Sequence, residues 1–330
     1  MNATGGCRTH PKYLGKRQPK SSCKVCWAIW MTENPVAQVS RNLIDAMKEV
    51  KALEITSTPV IQSGIGDEEQ FVLLLSDLQV GVSTPTFGFA VFHQRMEKLL
   101  ANLRKVVLLH RKAHPVNVLN VFMLGDNIQN EIIGKVVDLD HLEGTVFIQL
   151  FQHALPALER FFQELLNDFE KIKVTCVHGN HGSLGKFMAN TTNFDDVAYE
   201  FLKAVFRDEP RIEFSTTLQF YNVAQIYGYK FLLVHGDKIP STWSIPYYGI
   251  TTRSMRWEGS IGQYNYLCMG HFHTYTIIDV STRVVFINGT FLSDDEWTIK
   301  TLGWTSSVCQ MLLSVHPKQG VSFVRRINLG

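Results

Sequence analysis

The sequence predicts an α/β fold, and three observations support this prediction. Short runs of β-branched and other apolar residues recur after residue 70, and each ends abruptly in polar residues. Stretches with apolar residues at every third or fourth position cover about residues 89–114, 145–170 and 194–207. The chain has 330 residues, of which 45% are hydrophobic and 19% charged, as expected for a protein with a sizeable core. Strands that alternate with helices are typical of layered α/β folds.

Positive charge is concentrated at the N-terminus. Residues 1–26 contain six lysines and arginines and no acidic residue, whereas the whole chain has a formal net charge of only +2. Basic segments of this kind commonly contact nucleic-acid phosphates. The alternative is a solvated surface without a partner.

The same N-terminal segment holds two close pairs of metal-binding residues. The spacing C-x2-H followed by C-x2-C is typical of a small structural zinc site, which would fold this short segment. The alternative is a disordered basic tail with incidental cysteines. The predicted zinc ligands are Cys7, His10, Cys23 and Cys26.

The sequence predicts a cytoplasmic protein without membrane association. No apolar run is long enough to span a bilayer, and the N-terminus lacks the apolar region of a signal peptide. Cys176, Cys268 and Cys309 lie in apolar contexts and are predicted to be buried thiols, as in a reducing compartment.

Three regions are predicted along the chain. Residues 1–30 form the basic zinc-binding module, and residues 31–69 form a helix and a linker. Within that second region, residues 36–54 carry apolar residues at helical spacing, and residues 55–70 hold proline, glycines and an acidic patch. Residues 70–330 form the main domain.

Five of the predicted strands end in side chains that bind metals or transfer protons. The runs FVLLL, VLNVFML, IKVTCV, YKFLLV and YNYLCM are followed by SDLQVG, GDNIQNE, HGNHG, HGDK and GHFH. Layered α/β folds place functional sites at the C-terminal ends of strands. The candidate residues are Asp77, Gln79, Asp126, Asn127, Asn180, His181, His235, Asp237, His271 and His273.

Carboxylates, imidazoles and amides in this combination suit divalent ions such as zinc, manganese or iron. One aspartate can bridge two ions about 3.5–4 Å apart, which together hold a phosphoryl group for in-line displacement. The chain contains neither a Walker-type glycine loop nor a G-x-S-x-G motif.

The ordered series of motifs resembles the calcineurin-like metallophosphoesterase superfamily over about residues 70–292. The resemblance implies a four-layer fold in which two packed β-sheets are flanked by helices. The motifs that carry it are Asp77-Leu78-Gln79, Gly125-Asp126-Asn127, Gly179-Asn180-His181, His235-Gly236-Asp237 and Gly270-His271-Phe272-His273.

The resemblance also implies a centre of two divalent ions bridged by Asp126, with a metal-bound hydroxide as the nucleophile. His181 would protonate the leaving oxygen, a role that suits an imidazole near neutral pH. Manganese is the preferred ion, with zinc, iron and magnesium as alternatives. The first ion would be held by Asp77, Gln79, Asp126 and His273, and the second by Asp126, Asn180, His235 and His271.

Gln79 departs from the family, which usually has histidine at this position. An amide oxygen can bind a metal, but it should weaken the site for zinc and shift its preference toward manganese or magnesium. The alternative is that Gln79 is not a ligand and the first ion is loosely held or absent.

The leading functional prediction is a phosphodiesterase, specifically a nuclease similar to the double-strand-break repair exonucleases of this superfamily. A phosphomonoesterase and a nucleic-acid-binding pseudoenzyme remain as alternatives. The N-terminal module followed by this core also resembles bacteriophage-encoded proteins, for which the compartment would be the host cytoplasm. Nucleic acid is the predicted partner, and a homodimer is compatible with the resemblance.

Residues 244–259 (SIPYYGITTRSMRWEG) are predicted to form a loop with aromatic side chains and two arginines. Such a loop can stack bases and contact phosphates. The alternative is aromatic packing beneath a long loop. His141 and Glu143 follow the second motif and are predicted to lie at the surface, and the alternative is that they reach the pocket from a loop.

Overall fold

A computed structural model describes residues 9–10, 12, 23–26, 29, 50, 52–53, 64–131, 141–183, 193–240, 246–293 and 306–330. The chain divides into two compact units, Met1–Ala52 and Leu53–Gly330. Most of the predicted helix and linker at residues 31–69 lies outside the described residues. No described helix is long and apolar enough to cross a membrane.

Six strands form the first sheet of the larger unit, in the order β11-β10-β1-β2-β3-β4. Strands β1 to β4 are parallel to one another. Strand β10 is antiparallel to β1, and β11 is antiparallel to β10. These strands are β1 (Gln70–Leu75), β2 (Val118–Met123), β3 (Lys171–Cys176), β4 (Ile212–Ser215), β10 (Cys309–His316) and β11 (Gly320–Asn328).

Five strands form the second sheet, in the order β5-β6-β7-β9-β8. The central strands β6, β7 and β9 are parallel, and the two edge strands are antiparallel to their neighbours. The strands are β5 (Tyr221–Ile226), β6 (Tyr229–Val234), β7 (Tyr266–Met269), β8 (Thr276–Val280) and β9 (Arg283–Ile287).

Four α-helices are described after residue 70, and the predicted helical stretches there are confirmed with shorter bounds. A π-helical segment, Ile148–Ala154, leads directly into the second of them. The third begins at an asparagine cap, because Asn193 Oδ1 accepts a hydrogen bond from the backbone N–H of Asp195 at 2.8 Å. The helices are α1 (Phe89–His110), α2 (Leu155–Leu165), α3 (Phe194–Val205) and α4 (Tyr247–Ile261).

The two sheets pack face to face with helices on both outer sides. Val72 and Leu74 of β1 lie in one apolar cluster with Phe231 and Leu233 of β6. The intervening residues of β1 face the other way, where the ring of Phe71 lies 4.9 Å from His110 of α1. On the second sheet, the outer cluster contains two residues of α4, Ile250 and Trp257. The predicted arrangement of two sheets flanked by helices is confirmed.

The prediction of a loop at residues 244–259 is wrong, because Tyr247–Ile261 forms helix α4. Ile250, Ser254 and Trp257 are buried at helical spacing. The sequence obscured this period because the stretch carries two glycines and two adjacent β-branched threonines, residues that disfavour helices in isolation. Burial against the second sheet outweighs that weak local preference.

The strand-end loops after β2 and β3 touch backbone to backbone. Gly125 has a φ of +89°, and a Cβ built on it would lie 2.2 Å from the amide nitrogen of Gly179. A Cβ on Gly179 would lie 2.0 Å from Oδ1 of Asp126. Only glycine therefore allows these two loops to meet.

Gly125→Ala should lower the free energy of unfolding by roughly 2 kcal/mol or more, because it adds both a clash and an unfavourable φ. The control is Gly259→Ala in α4, where a Cβ meets nothing within 4 Å. That change should raise stability by up to about 1 kcal/mol. Urea denaturation of both variants measures the effects, and equal stabilities would show that the close approach is not required.

Candidate metal centre

The C-terminal ends of strands from both sheets bring the predicted metal-binding side chains together. Strands β1, β2 and β3 of the first sheet and β6 and β7 of the second each lead into one of the five motifs. Backbone hydrogen bonds join neighbouring motifs, such as Asp77 N to Gly125 O at 3.0 Å and Gly270 N to His235 O at 2.9 Å. The residues that the sequence places at these strand ends therefore lie close together in the fold.

The residues predicted for the second ion form a tight group. Potential ligand atoms of Asp126, His235 and His271 all lie within 4.8 Å of one another. Asn180 Oδ1 lies 3.1 Å from Nε2 of His235, and Asp126 Oδ2 lies 2.9 Å from the same nitrogen. All four side chains thus surround one small volume.

The residues predicted for the first ion adjoin this group. His273 Nε2 lies 3.4 Å from Oδ1 of Asp77 and 3.1 Å from the amide nitrogen of Gln79. The backbone N–H of His271 donates to both carboxylate oxygens of Asp77 at 3.1 Å, which fixes that carboxylate beside the histidine pair. Gln79 therefore lies beside the residues it is predicted to join.

Five of the predicted ligands have left-handed backbone conformations. The φ angles are 53° at Asp77, 43° at Gln79, 57° at Asp126, 69° at His271 and 53° at His273. Such conformations are uncommon outside glycine and cost of order 1–3 kcal/mol each, and they cluster at functional sites. The backbone turns sharply after β1, β2 and β7, and the side chains at these positions converge on a common point.

Asp195 was not among the candidates from the sequence, yet it holds the two loops of the first sheet in place. Its carboxylate is fully buried and accepts hydrogen bonds from the backbone N–H groups of Asp126 at 2.9 Å, Gly179 at 2.8 Å and Asn127 at 3.0 Å. The side chain of Asn127 donates to it at 2.7 Å. Asn127 is therefore a structural residue. The only sequence signal was the Asn193 cap just before it.

A second buried polar group supports the end of β1. Asn288 Nδ2 donates to Ser76 Oγ at 2.9 Å and to Gln310 Oε1 at 2.7 Å, and the latter oxygen also accepts the Ser76 N–H at 3.0 Å. Thr290 Oγ1 donates to the carbonyl of Asp77 at 2.8 Å. Asn288 and Thr290 follow β9 and Gln310 lies in β10, so all three lie far from Asp77 in sequence.

The charges of the three tightly grouped residues depend on one another. Burial opposes ionisation of Asp126, but the imidazoles of His235 and His181 hold its pKa below the ordinary value. Burial also opposes a charge on His235, yet Asp126 raises the pKa of His235 to about 10. Burial, together with the charge of His235, lowers the pKa of His271 to about 4. His271 is therefore neutral at pH 7 and has a lone pair to offer.

The donor set fits a divalent ion. His235 Nδ1 lies 2.7 Å from the carbonyl of Leu124 and donates its proton there, so Nε2 faces the oxygens of Asn180 and Asp126. Asp126 Oδ2 is buried and, within the described residues, accepts no well-aligned hydrogen bond. Two oxygens and a ring nitrogen that converge in this way need either a proton on Nε2 or a cation between them.

His181 lies at the edge of the same group. Its backbone N–H donates to Asp126 Oδ1 at 2.7 Å, and its Nε2 lies 3.8 Å from Asp126 Oδ2. Its Nδ1 lies 3.3 Å from the carbonyl of Gln129, which orients the ring. The side chain is 19% exposed.

The remaining candidates have structural contacts. Asp237 pairs with Lys238. Glu143 is not simply a surface residue, because its Oε2 accepts the backbone N–H of Phe89 at 2.5 Å at the start of α1. His141 is exposed, as predicted.

In the N-terminal unit, three of the four predicted zinc ligands lie together. Ligand atoms of His10, Cys23 and Cys26 are within 4.8 Å of one another, and Cys26 Sγ lies 3.2 Å from His10 Nδ1. Cys7, the fourth, lies outside the described residues.

Three solved structures illustrate what the chain is similar to. An archaeal phosphodiesterase is 15% identical, with 78% of this chain and 98% of that chain covered at a TM-score of 0.36. Vps29 from Cryptosporidium parvum is 14% identical, with 79% and 98% covered at 0.38. Vps29 from Entamoeba histolytica, complexed with zinc, is 13% identical, with 79% and 99% covered at 0.36. At such low identities and scores, these similarities say nothing about activity.

No curated protein matches the chain. The family model for calcineurin-like phosphoesterases matches residues 72–281, which include all five strand-end motifs. That span runs from β1 to the end of β8 and contains both halves of the candidate centre. The chain belongs to the calcineurin-like phosphoesterase family.

Proposed function

We propose that this phosphoesterase is a metal-dependent phosphodiesterase that cleaves nucleic acid at a dinuclear centre. The observation that carries the proposal is the convergence of Asp126, His235 and His271 within 4.8 Å, with Asp77 and His273 directly beside them. The family membership supplies the reaction class. The donor geometry supplies the residues that would hold the ions.

Each ion has its own set of side chains in this proposal, with Asp126 shared. Two bound divalent ions would polarise the phosphate and make a bound water acidic enough to attack near neutral pH. The carboxylate of Asp126 and the amide oxygen of Asn180 suit manganese, the ion we favour. The first ion would be held by Asp77, Gln79, Asp126 and His273, and the second by Asp126, Asn180, His235 and His271.

His181 is the proposed proton donor to the leaving oxygen. The carbonyl of Gln129 orients the ring through Nδ1, and Nε2 lies on the side of Asp126. A proton held on Nε2 can pass to an oxygen that leaves phosphorus at that edge.

The N-terminal residues support nucleic acid as the substrate class. We propose that Cys7, His10, Cys23 and Cys26 hold one structural zinc ion, which folds a segment rich in lysine and arginine. Basic residues fixed on such a module attract phosphates.

Turnover assays with manganese test the proposal on four substrates: bis-p-nitrophenyl phosphate, p-nitrophenyl phosphate, single-stranded DNA and double-stranded DNA. The proposal predicts hydrolysis of the diester and of at least one DNA substrate. Hydrolysis of p-nitrophenyl phosphate alone would indicate a phosphomonoesterase and contradict the nuclease.

One contact favours a second candidate, a nucleic-acid-binding protein without turnover. Gln79 Nε2 lies 3.1 Å from His273 Nε2, so the amide presents its nitrogen, not its oxygen, to the residue that would share the first ion. A side chain in that orientation cannot coordinate a cation. If the amide keeps this orientation, only the second ion binds tightly. Binding of DNA without hydrolysis of any substrate would support this candidate.

His181→Ala should lower kcat for bis-p-nitrophenyl phosphate by roughly 10²–10⁴-fold, because a general acid contributes that much. Manganese binding should persist, since His181 is not a proposed ligand. The control is His141→Ala, which changes an exposed histidine. A loss of manganese binding in His181→Ala would instead identify His181 as a ligand.

Gln79→His should tighten binding of the more weakly bound ion, because an imidazole replaces a neutral amide at the proposed first site. Isothermal titration with manganese and zinc measures the two affinities separately. An unchanged affinity in both titrations would show that position 79 does not contact an ion.

Apparent manganese affinity should rise with pH. In the metal-free protein the pKa of His235 is about 10, so near pH 7 an ion must displace its proton. Below that pKa the dissociation constant should fall about tenfold per pH unit, because one proton leaves for each ion bound. Titrations at pH 6, 7 and 8 measure this slope. Affinity independent of pH would show that His235 does not bind the ion.

A further inference from the structure

Helix α4 presents exposed aromatic and apolar side chains on the side away from the second sheet. We define the α4 outer face as Tyr248, Thr252, Met255 and Arg256, which follow one another at helical spacing. Tyr248 is 75% exposed and Met255 is 54% exposed. A large aromatic ring at this degree of exposure is available to a ligand.

Two arginines of α4 have no acidic partner among the described residues. Arg253 and Arg256 form no ion pair with any carboxylate in the described part of the chain. Glu258, the only acidic residue of the helix, forms an ion pair with Arg283 of β9. The helix therefore carries an exposed tyrosine and two guanidinium groups that form no ion pair with the described carboxylates.

The first turn of α4 lies against the loop that carries His235. A Cβ on Gly249 would come 1.9 Å from the carbonyl oxygen of Pro240, so helix and loop are in direct backbone contact. Within that loop, Ile239 N donates to Gly236 O at 3.0 Å, and Gly236 directly follows His235. The α4 outer face thus begins next to the segment that supplies a proposed metal ligand.

Exposed apolar surface continues beside the helix. Phe220, which precedes β5, is 38% exposed, and its ring lies 5.9 Å from Trp257 of α4. Leu218 in the same segment is 65% exposed. Aromatic and apolar side chains beside free arginines match the two parts of a nucleotide, its base and its phosphate.

We propose that the α4 outer face, together with Arg253, binds single-stranded nucleic acid and leads it to the metal centre. This inference rests on the proposed nuclease function and names the form of its substrate. A single strand exposes its bases for stacking on Tyr248, whereas a duplex keeps their faces stacked inside. Arg253 and Arg256 contact phosphates on the same strand, which matches the charge on the helix.

The test measures binding of a fluorescein-labelled oligothymidylate by anisotropy, with a phosphorothioate backbone that resists cleavage so that bound metal ions stay in place. Tyr248→Ala should weaken binding roughly five- to hundredfold, the usual effect of losing one stacked base, and Tyr248→Phe should bind like wild type. The controls are Phe147→Ala and Lys105→Ala, which remove an exposed aromatic ring and an exposed cation from the helical layer of the first sheet. Both controls should bind within about twofold of wild type, because neither residue is on the α4 outer face.

Salt dependence tests the arginines separately. The Arg253→Ala/Arg256→Ala double variant should reduce the slope of log affinity against log salt by about 1.4, since each phosphate contact on a single strand contributes about 0.7. Binding through the N-terminal basic residues would persist in every variant and forms a constant background. An unchanged slope would contradict the assignment of the arginines.

Three outcomes would overturn the inference. The first is equal binding by Tyr248→Ala and Phe147→Ala, and the second is tighter binding of a duplex than of the single strand. The third is loss of self-association in Tyr248→Ala by sedimentation, which would make the face an interface between copies of the chain. Hydrolysis of bis-p-nitrophenyl phosphate by wild type tests the metal centre independently. A protein that binds the oligonucleotide but hydrolyses nothing would contradict the proposed function alone.

Discussion

The crowding of Asp126 against His235 is the constraint on which the rest of the centre depends. A buried carboxylate oxygen lies 2.9 Å from an imidazole nitrogen, and the other nitrogen of that ring is committed to a backbone carbonyl. Asn180 brings another oxygen to 3.1 Å of the same nitrogen. Such an arrangement is stable only with positive charge at its middle, from a proton or from a metal ion. Asp126 comes from the first sheet and His235 from the second, so the packing of the sheets creates the contact.

Holding this arrangement costs conformational free energy. Five candidate ligands have left-handed backbones, which individually disfavour folding. Buried hydrogen bonds offset that cost, through Asp195 beneath the loops after β2 and β3 and through Asn288 and Gln310 beneath the end of β1. The strained turns persist because a rigid, close-packed sandwich surrounds them. Side chains fixed in this way are preorganised for a ligand.

Much of the centre could be predicted from the sequence because its residues directly follow apolar strands. The parallel strands β1 to β3 put Asp77, Asp126 and Asn180 at one edge by local pattern alone. The supports could not be predicted in this way. Asp195 and Gln310 act across the fold, and apart from the Asn193 cap before Asp195 nothing in their own neighbourhoods distinguishes them from ordinary polar residues. Helix α4 was missed because its stability comes from burial on the second sheet, against the preference of its glycines and threonines.

The metal content of the protein shows directly whether Asp126 holds the ions of the centre. Wild type and Asp126→Asn are loaded with manganese and zinc, desalted, and measured by native mass spectrometry. Two ions at the centre are predicted in wild type, in addition to the zinc of the N-terminal unit, and the ions at the centre should be lost in Asp126→Asn while that zinc remains. Equal ion content in the two proteins would contradict the account, because Asp126 would then hold no ion.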